Sequence, residues 1–422
     1  MSSARWGTPP GGRGTGRHAT RALLAGLLLV SACAAPDDEP GRPGPDSLVR
    51  SAGAVLDRRA AAVRAHDPDA YLAVVDPRAT GLRAAQRREL DNLADVPLSS
   101  WTYRITELTA QGADRATADV RLSYRITGYD SVPATADRVL DLRRDRDDGR
   151  WYLTGDRPDG DGGALLWQQG RVRAVRGMHG LVLGVGRPGG ELREIARTVD
   201  RAVPAVSGAW PEPWPGRVLV LVPRTVEDMA ALLGAPAADY RGIAAVTNAR
   251  TGDPDRAPAD RVIVNPQAYG ALADLGRRVV LTHEITHVAT RARTTAATPV
   301  WLSEGFADWA AYRAEHRTAV RAAPELAAAV RRGDLPDALP ADEDFAFAGD
   351  AARLARAYEG GWLACELIAD RWDEKRLRAF YRAVGEHRGR DGAVERALRE
   401  VLDTAPGEFT ALWRDHLRSR LG

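Results

Sequence analysis

The sequence His283-Glu284-Ile285-Thr286-His287 lies within a segment, residues 277–293, whose apolar residues recur at helical spacing. Four residues make about one helical turn, so His283 and His287 share a face on which both imidazoles can reach the same ion. Glu284 stays on that side of the helix, close to a water on the ion. The stretch therefore predicts a helix that carries two metal ligands and a general base.

A catalytic metal site of this kind needs a third protein ligand and leaves one position open for water. Metzincins supply a His six residues after the second His, behind a Gly, but those positions hold Arg293 and Thr290 here. The segment Val300–Trp309 (VWLSEGFADW) instead resembles the second motif of gluzincins, zinc peptidases of the peptidase MA-like clan. The resemblance implies that Glu304 is the third Zn²⁺ ligand and that Asp308, four residues later, orients a ligand histidine.

The same resemblance implies a metallopeptidase in which Glu284 removes a proton from water during attack on a peptide carbonyl. Gluzincins also carry a Tyr or His on a later helix that donates a hydrogen bond to the developing oxyanion. Tyr358, in the sequence AYEGGW, resembles the Tyr-x-x-Gly helix of this family. We predict this role for Tyr358, with His387 as the second choice and a packed core aromatic as the other interpretation of Tyr358.

The predicted strand Gly242–Asn248 (GIAAVTN) precedes the metal-binding helix. Gluzincins place there a sheet edge that pairs with an extended substrate. Aminopeptidases of this clan carry Gly-x-Met-Glu-Asn in this strand, and their Glu binds the substrate amino terminus. Because this chain lacks both the Met and the Glu, we predict an endopeptidase that acts on peptide or protein substrates.

The N-terminal region has the pattern of an export signal. Arg13, Arg17 and Arg21 precede the apolar run Ala22–Val30, which is too short to span a bilayer. The run ends in Val30-Ser31-Ala32-Cys33, which resembles the bacterial lipobox and implies cleavage before Cys33 and lipidation of its thiol. We predict a signal peptide over residues 1–33, a Pro- and Gly-rich tether over 34–46 and a lipid anchor in the outer face of the cell membrane. An ordinary signal peptide with an incidental Cys is the alternative.

Two domains are predicted between the tether and the C-terminus. Residues 47–157 begin with helical spacing and change near Trp101 to a period of two, which indicates a small α+β domain. The order of elements and the closing strand at Trp151 resemble the nuclear transport factor 2-like superfamily, a cone with a ligand-sized cavity; a spacer or interaction domain is the alternative. Residues 158–165 are predicted to be a linker, and 166–422 an α+β metallopeptidase domain with a mixed sheet followed by a helical half.

Composition narrows the function further. Among 422 residues, 59 Lys and Arg stand against 57 Asp and Glu, a formal net charge of +2. The basic residues are interleaved with acids, so nothing indicates a nucleic-acid partner. An enzyme is not the only function compatible with a metal site, because a zinc-containing cell-surface binding or sensing lipoprotein without turnover would need the same ligands. The intact Glu284 favours the enzyme, since a purely structural zinc site has no use for a general base.

Overall fold

The computed structural model describes residues 45–160, 163–248, 257–315, 317–346 and 350–422. The predicted signal peptide, Cys33 and most of the predicted tether lie outside the described residues. Within the described ranges, no helix combines the length and the apolar character needed to cross a membrane.

The first region consists of three helices followed by an antiparallel meander of four strands. Its elements are α1 (Pro45–Ala65), α2 (Pro68–Ala73), α3 (Thr80–Asn92), β1 (Leu98–Ala110), β2 (Arg115–Ile126), β3 (Ala134–Arg144) and β4 (Trp151–Pro158). Buried side chains alternate along β2, and Ala118 and Val120 pack in one apolar cluster with Val55 and Leu56 of α1. This alternation is the period-two pattern that the sequence predicts.

The second region contains a five-stranded mixed sheet in the order β5-β6-β7-β9-β8. Its strands are β5 (Val172–Arg176), β6 (Gly180–Val185), β7 (Val218–Val222), β8 (Ala245–Asn248) and β9 (Arg261–Val264). The three central strands are parallel, and the antiparallel strands β5 and β8 form the two edges. Helix α4 (Gly189–Ala209) connects β6 to β7, and α5 (Val226–Leu233) follows β7. Strands buried on both faces explain the continuous apolar runs in this part of the sequence.

The C-terminal half is helical, as predicted. Its helices are α6 (Pro266–Gly270), α7 (Asp274–Thr290), α8 (Val300–Tyr312), α9 (Ala319–Ala322), α10 (Pro324–Arg331), α11 (Ala351–Trp372), α12 (Glu374–Gly385), α13 (Ala393–Leu402) and α14 (Pro406–Leu421). Helices α8 and α11 touch backbone to backbone at Gly305 and Gly361. A Cβ atom at Gly361 would lie 2.6 Å from the carbonyl oxygen of Trp301. The glycines therefore set the close approach between α11 and α8, and α8 carries the predicted ligand Glu304.

The two regions share one apolar core. Leu183 of β6 and Leu219 of β7 lie in the same cluster as Leu122 of the first sheet. Trp167 contributes a ring 5.5 Å from that of Trp101, measured between centroids. The opposite face of the five-stranded sheet packs on α4 and α7 in the main core. The predicted α+β class is thus confirmed as a mixed fold with two sheets, while the nuclear transport factor 2-like resemblance stays a prediction.

Candidate metal centre

Helices α7 and α8 bring the three predicted ligands together. His283 Nε2 lies 3.0 Å from His287 Nε2 and 3.2 Å from Glu304 Oε2, and His287 Nε2 lies 3.6 Å from the same oxygen. All the ligand atoms lie within 4.8 Å of one another, and each side chain is about 1% exposed. Two imidazole nitrogens and one carboxylate oxygen are a donor set that suits Zn²⁺ and leaves a fourth position open.

The position of Glu304 follows from the packing of α8. Trp301, Leu302 and Phe306 of this helix are buried in the main core, so the helix cannot turn Glu304 towards solvent. A buried carboxylate is costly unless opposite charge compensates it. His283, whose pKa is raised well above its ordinary value, supplies that charge, and helix α7 is in turn buried between α4, α8 and β8.

Asp308 lies one helical turn after Glu304, as predicted, and its Oδ1 lies 2.7 Å from His283 Nδ1. This contact fixes Nδ1 as the protonated nitrogen of the ring and leaves Nε2 for the centre of the site. The residue is half-buried, so the carboxylate closes the outer side of the His283 ring.

Two carboxylates, Asp308 and Glu304, favour positive charge at the place where the histidine nitrogens meet. Burial opposes a charge on His283, but Asp308 and Glu304 outweigh it and raise the pKa of the ring well above its ordinary value. Burial lowers the pKa of His287 to about 4. Although burial acts in the other direction, the histidines lower the pKa of Glu304. A neutral His287 and an ionised Glu304 are the protonation states that metal ligands require. The carboxylates beside His283 favour a cation at its Nε2, where a metal ion would replace the proton.

Glu284, the predicted general base, is fully buried beside this group. The hydroxyl of Thr247, on β8, lies 2.7 Å from Glu284 Oε2 and 3.0 Å from the Glu284 carbonyl oxygen. The other carboxylate oxygen, Oε1, has no hydrogen-bond partner among the described residues. Burial raises the pKa of Glu284 to about 7, although His283 and Thr247 act to lower it. One oxygen of the carboxylate is therefore held, and the other is available to a proton.

The two candidates for the oxyanion donor lie in different surroundings. Tyr358 lies on α11 in the main core, with its ring 5.1 Å from that of Phe345. His387 follows α12, and its Nδ1 lies 2.8 Å from the carbonyl oxygen of Gly389 in its own turn. The ring of His387 thus stabilises a local turn, and Tyr358 remains our predicted donor.

Two side chains that contact or follow helix α7 were missed in the sequence. Thr247 lies in the predicted strand Gly242–Asn248, and its hydroxyl contacts the predicted general base Glu284. Arg291, one turn after His287, forms a buried ion pair with Asp260, whose pKa burial raises to about 6. Nothing local in the sequence marks Thr247, whereas Arg291 has a signal in its helical spacing after the second ligand.

No protein-family model and no curated protein matches this sequence. Among solved structures, a two-domain M1 zinc metallopeptidase variant bound to L-arginine is 12% identical over 76% of this chain and 95% of its own, with a TM-score of 0.35. The M1 zinc metallopeptidase from Deinococcus radiodurans is 12% identical over 76% and 94%, with a TM-score of 0.32. A SEC-C motif-containing protein from Rhodopseudomonas palustris is 20% identical over 28% and 79%, with a TM-score of 0.20. Similarity this low does not establish a shared fold.

Proposed function

We propose that the chain is a zinc metallopeptidase of the gluzincin type that hydrolyses peptide bonds. The observation that carries the proposal is the convergence of His283, His287 and Glu304 within 4.8 Å in a buried centre. Glu284 lies beside them with Oε1 unpartnered among the described residues, which a purely structural zinc site would not require.

Each residue then has a defined task. Zn²⁺ held by the three ligands would polarise the peptide carbonyl and allow water to lose a proton near neutral pH. Glu284 accepts that proton through Oε1 and delivers it to the nitrogen of the leaving amine. Asp308 holds the ring of His283 in one orientation. We assign to Tyr358 the hydrogen bond that stabilises the carbonyl oxygen as it gains negative charge.

The substrate class follows from strand β8. This strand is an edge of the five-stranded sheet and lies against the helix that carries the ligands. An edge strand can pair with an extended peptide through its outer backbone groups. Strand β8 has the sequence AVTN and therefore contains no carboxylate that could bind a substrate amino terminus. These features favour an endopeptidase that acts on extended segments of peptides or proteins.

We also propose that the protein is exported and anchored through a lipid on Cys33. The support is the arginine-rich start, the apolar run Ala22–Val30 and the lipobox-like sequence that ends at Cys33. A diacylglyceryl group supplies the two acyl chains that stable anchoring requires. Metabolic labelling with a fatty-acid analogue should mark the wild-type protein and leave Cys33→Ser unmarked. An unlabelled wild-type protein would exclude the lipid anchor without affecting the proposed chemistry.

The enzymatic proposal is tested by separating metal binding from turnover. His283→Ala and Glu304→Ala should lose zinc, whereas Glu284→Gln should keep zinc and lose hydrolysis of a random peptide library. Zinc is counted after dialysis, because Glu366, Asp370 and His416 form another group of potential ligands near the surface.

Two outcomes would contradict the proposal. Wild-type hydrolysis by Glu284→Gln would remove the general base from the mechanism. A wild-type protein that keeps zinc but cleaves no peptide would instead favour the zinc-containing cell-surface binding or sensing protein.

A further inference from the structure

Thr247 occupies a rigid position next to the general base. It lies in strand β8, where it pairs with Val262 of β9, and it is 2% exposed. A β-branched side chain in an extended strand has little rotational freedom about its first side-chain bond. The direction of the Thr247 hydroxyl is therefore set by the sheet.

The partner of this hydroxyl, the carboxylate of Glu284, belongs to a side chain with more rotatable bonds than threonine has. A glutamate has three rotatable side-chain bonds, and the carboxylate of Glu284 reaches from α7 to Thr247 of β8. The hydroxyl lies closer to Oε2 of the carboxylate, at 2.7 Å, than to the carbonyl oxygen of the same residue, at 3.0 Å. Because Oε1 has no partner in the described part of the chain, the contact with Thr247 decides which oxygen stays open.

We propose that Thr247 is a positioning residue that holds Glu284 through Oε2 and presents Oε1 to the reacting water. The inference rests on the proposed peptidase function and adds a residue to its machinery. It also gives edge strand β8 a second role, since the strand that would pair with substrate also fixes the base. Misplacing a catalytic group by about 1 Å can lower a rate roughly a hundredfold, so one hydroxyl at this position can have a large effect.

The test compares four variants of the full chain. Thr247→Val removes the hydroxyl and keeps the branched shape, Thr247→Ala removes it without adding a methyl group, and Thr247→Ser restores it. Thr404→Val is the matched control, because Thr404 is buried and bonds the carbonyl oxygen of Leu402 after α13. For each protein we would measure zinc content, kcat and KM on a peptide that the wild type cleaves, and the Kd of acetohydroxamate by calorimetry. Acetohydroxamate binds zinc and can donate a hydrogen bond to the neighbouring carboxylate, so its affinity reports the placement of Glu284 without turnover.

We expect Thr247→Val and Thr247→Ala to keep zinc and KM and to lose about tenfold to a hundredfold in kcat. Their Kd for acetohydroxamate should rise several-fold. Thr247→Ser should recover most of both losses, and Thr404→Val should match the wild type.

Wild-type kcat and acetohydroxamate affinity in both hydroxyl-free variants would overturn the inference. A Thr247→Val variant as fast as the wild type, with Thr247→Ser as slow as Thr247→Ala, would also overturn it, because the methyl group and not the hydroxyl would then explain the effect. If the wild type binds zinc but cleaves no peptide, the proposed function fails separately. The acetohydroxamate affinities would then still decide whether Thr247 holds Glu284.

Discussion

Glu359 is a buried carboxylate that lies outside the metal centre. Its oxygens accept hydrogen bonds from the backbone N–H groups of Glu325, at 3.3 Å, and Leu326, at 2.6 Å, in the first turn of α10. A carboxylate at this place caps the N-terminus of α10 and interacts with its dipole. Burial nevertheless dominates and raises the pKa of Glu359 from 4.5 to about 7.

The raised pKa predicts a pH-dependent contribution of Glu359 to stability. Because the pKa of Glu359 is higher in the folded state than in the unfolded state, proton binding favours folding. This contribution is fully present below pH 4.5 and is lost as the pH rises through about 7. The difference corresponds to roughly 3 kcal/mol. Glu359→Gln does not titrate, so its stability relative to the wild type should rise by up to that amount between pH 4.5 and 8. Urea unfolding across this pH range measures the difference in free energy of unfolding between Glu359→Gln and the wild type, with Glu400→Gln on the exposed face of α13 as control. A gap that does not change with pH would contradict the assignment.

Tyr358→Phe tests the predicted oxyanion donor. The ring and its contact with Phe345 are kept, so fold and zinc content should be preserved. If the hydroxyl stabilises the transition state, kcat should fall about a hundredfold to a thousandfold, equivalent to roughly 3–4 kcal/mol, with little change in KM. A lowered melting temperature with normal kcat would identify Tyr358 as a core aromatic and leave His387 as the next residue to replace.

At the scale of whole elements, the contact between α8 and α11 connects core packing to the metal centre. Gly305 follows the ligand Glu304 directly, and it meets Gly361 without intervening side chains. Gly361→Ala would place a Cβ atom 2.6 Å from the carbonyl oxygen of Trp301, and backbone atoms cannot move aside as a flexible side chain can.

We therefore expect Gly361→Ala to destabilise the protein by about 3 kcal/mol and to weaken zinc binding, because the helices must separate near Glu304. Gly53→Ala is the matched control. Gly53 lies within α1, and a Cβ atom added there would meet no described atom within 4 Å, so Ala should stabilise by about 0.5–1 kcal/mol. Urea unfolding and zinc titration measure both effects. Equal stability of the two variants would contradict this expectation, because α8 and α11 could then move apart without a measurable loss of stability.

The elements that the sequence predicted well are those with strong local signals. The change near Trp101 to a period of two is such a signal, because strand β1 contains Trp101 and buried side chains alternate along β2. Helix α3 was not predicted, since its sequence, TGLRAAQRRELDN, is mostly polar and only Leu90 and Gln86 are buried. Its apolar face is too narrow to give a helical period, and contacts with the rest of the region stabilise it instead.

The same distinction applies to the site. Ligands of α7 could be predicted because four-residue spacing alone puts His283 and His287 on one face. Glu304 needed a resemblance to a known motif, since spacing does not fix how α8 packs on α7. The contact between Thr247 and Glu284 spans 37 residues and depends on how β8 lies against the helix. Nothing local in the sequence encodes such a contact.

At the scale of the whole molecule, the face of the second sheet that carries Leu183 and Leu219 is covered by the first region. Trp167 joins them, with its ring 5.0 Å from Tyr124 and 5.5 Å from Trp101. Two regions with one apolar layer between them should unfold together.

Calorimetry should accordingly show a single transition, with the loss of both sheets at one temperature. Trp167→Ala should lower the free energy of unfolding of the whole chain by about 3–5 kcal/mol, because it empties a large site in the shared layer. Two separate transitions in the wild-type protein, or a Trp167→Ala effect confined to one region, would contradict this expectation.

An ion pair also crosses the boundary between the two regions, with Asp130 Oδ1 2.9 Å from Arg261 Nη1. A gene fragment that encoded only the second region would leave Leu183 and Leu219 facing water. A fragment that encoded only the first region would expose Trp101 and Leu122 instead. Recombination at the predicted linker would therefore disable both products rather than exchange a module. We therefore expect the two regions to have been inherited together. A substitution on one side of the shared apolar layer should limit which substitutions are tolerated on the other side.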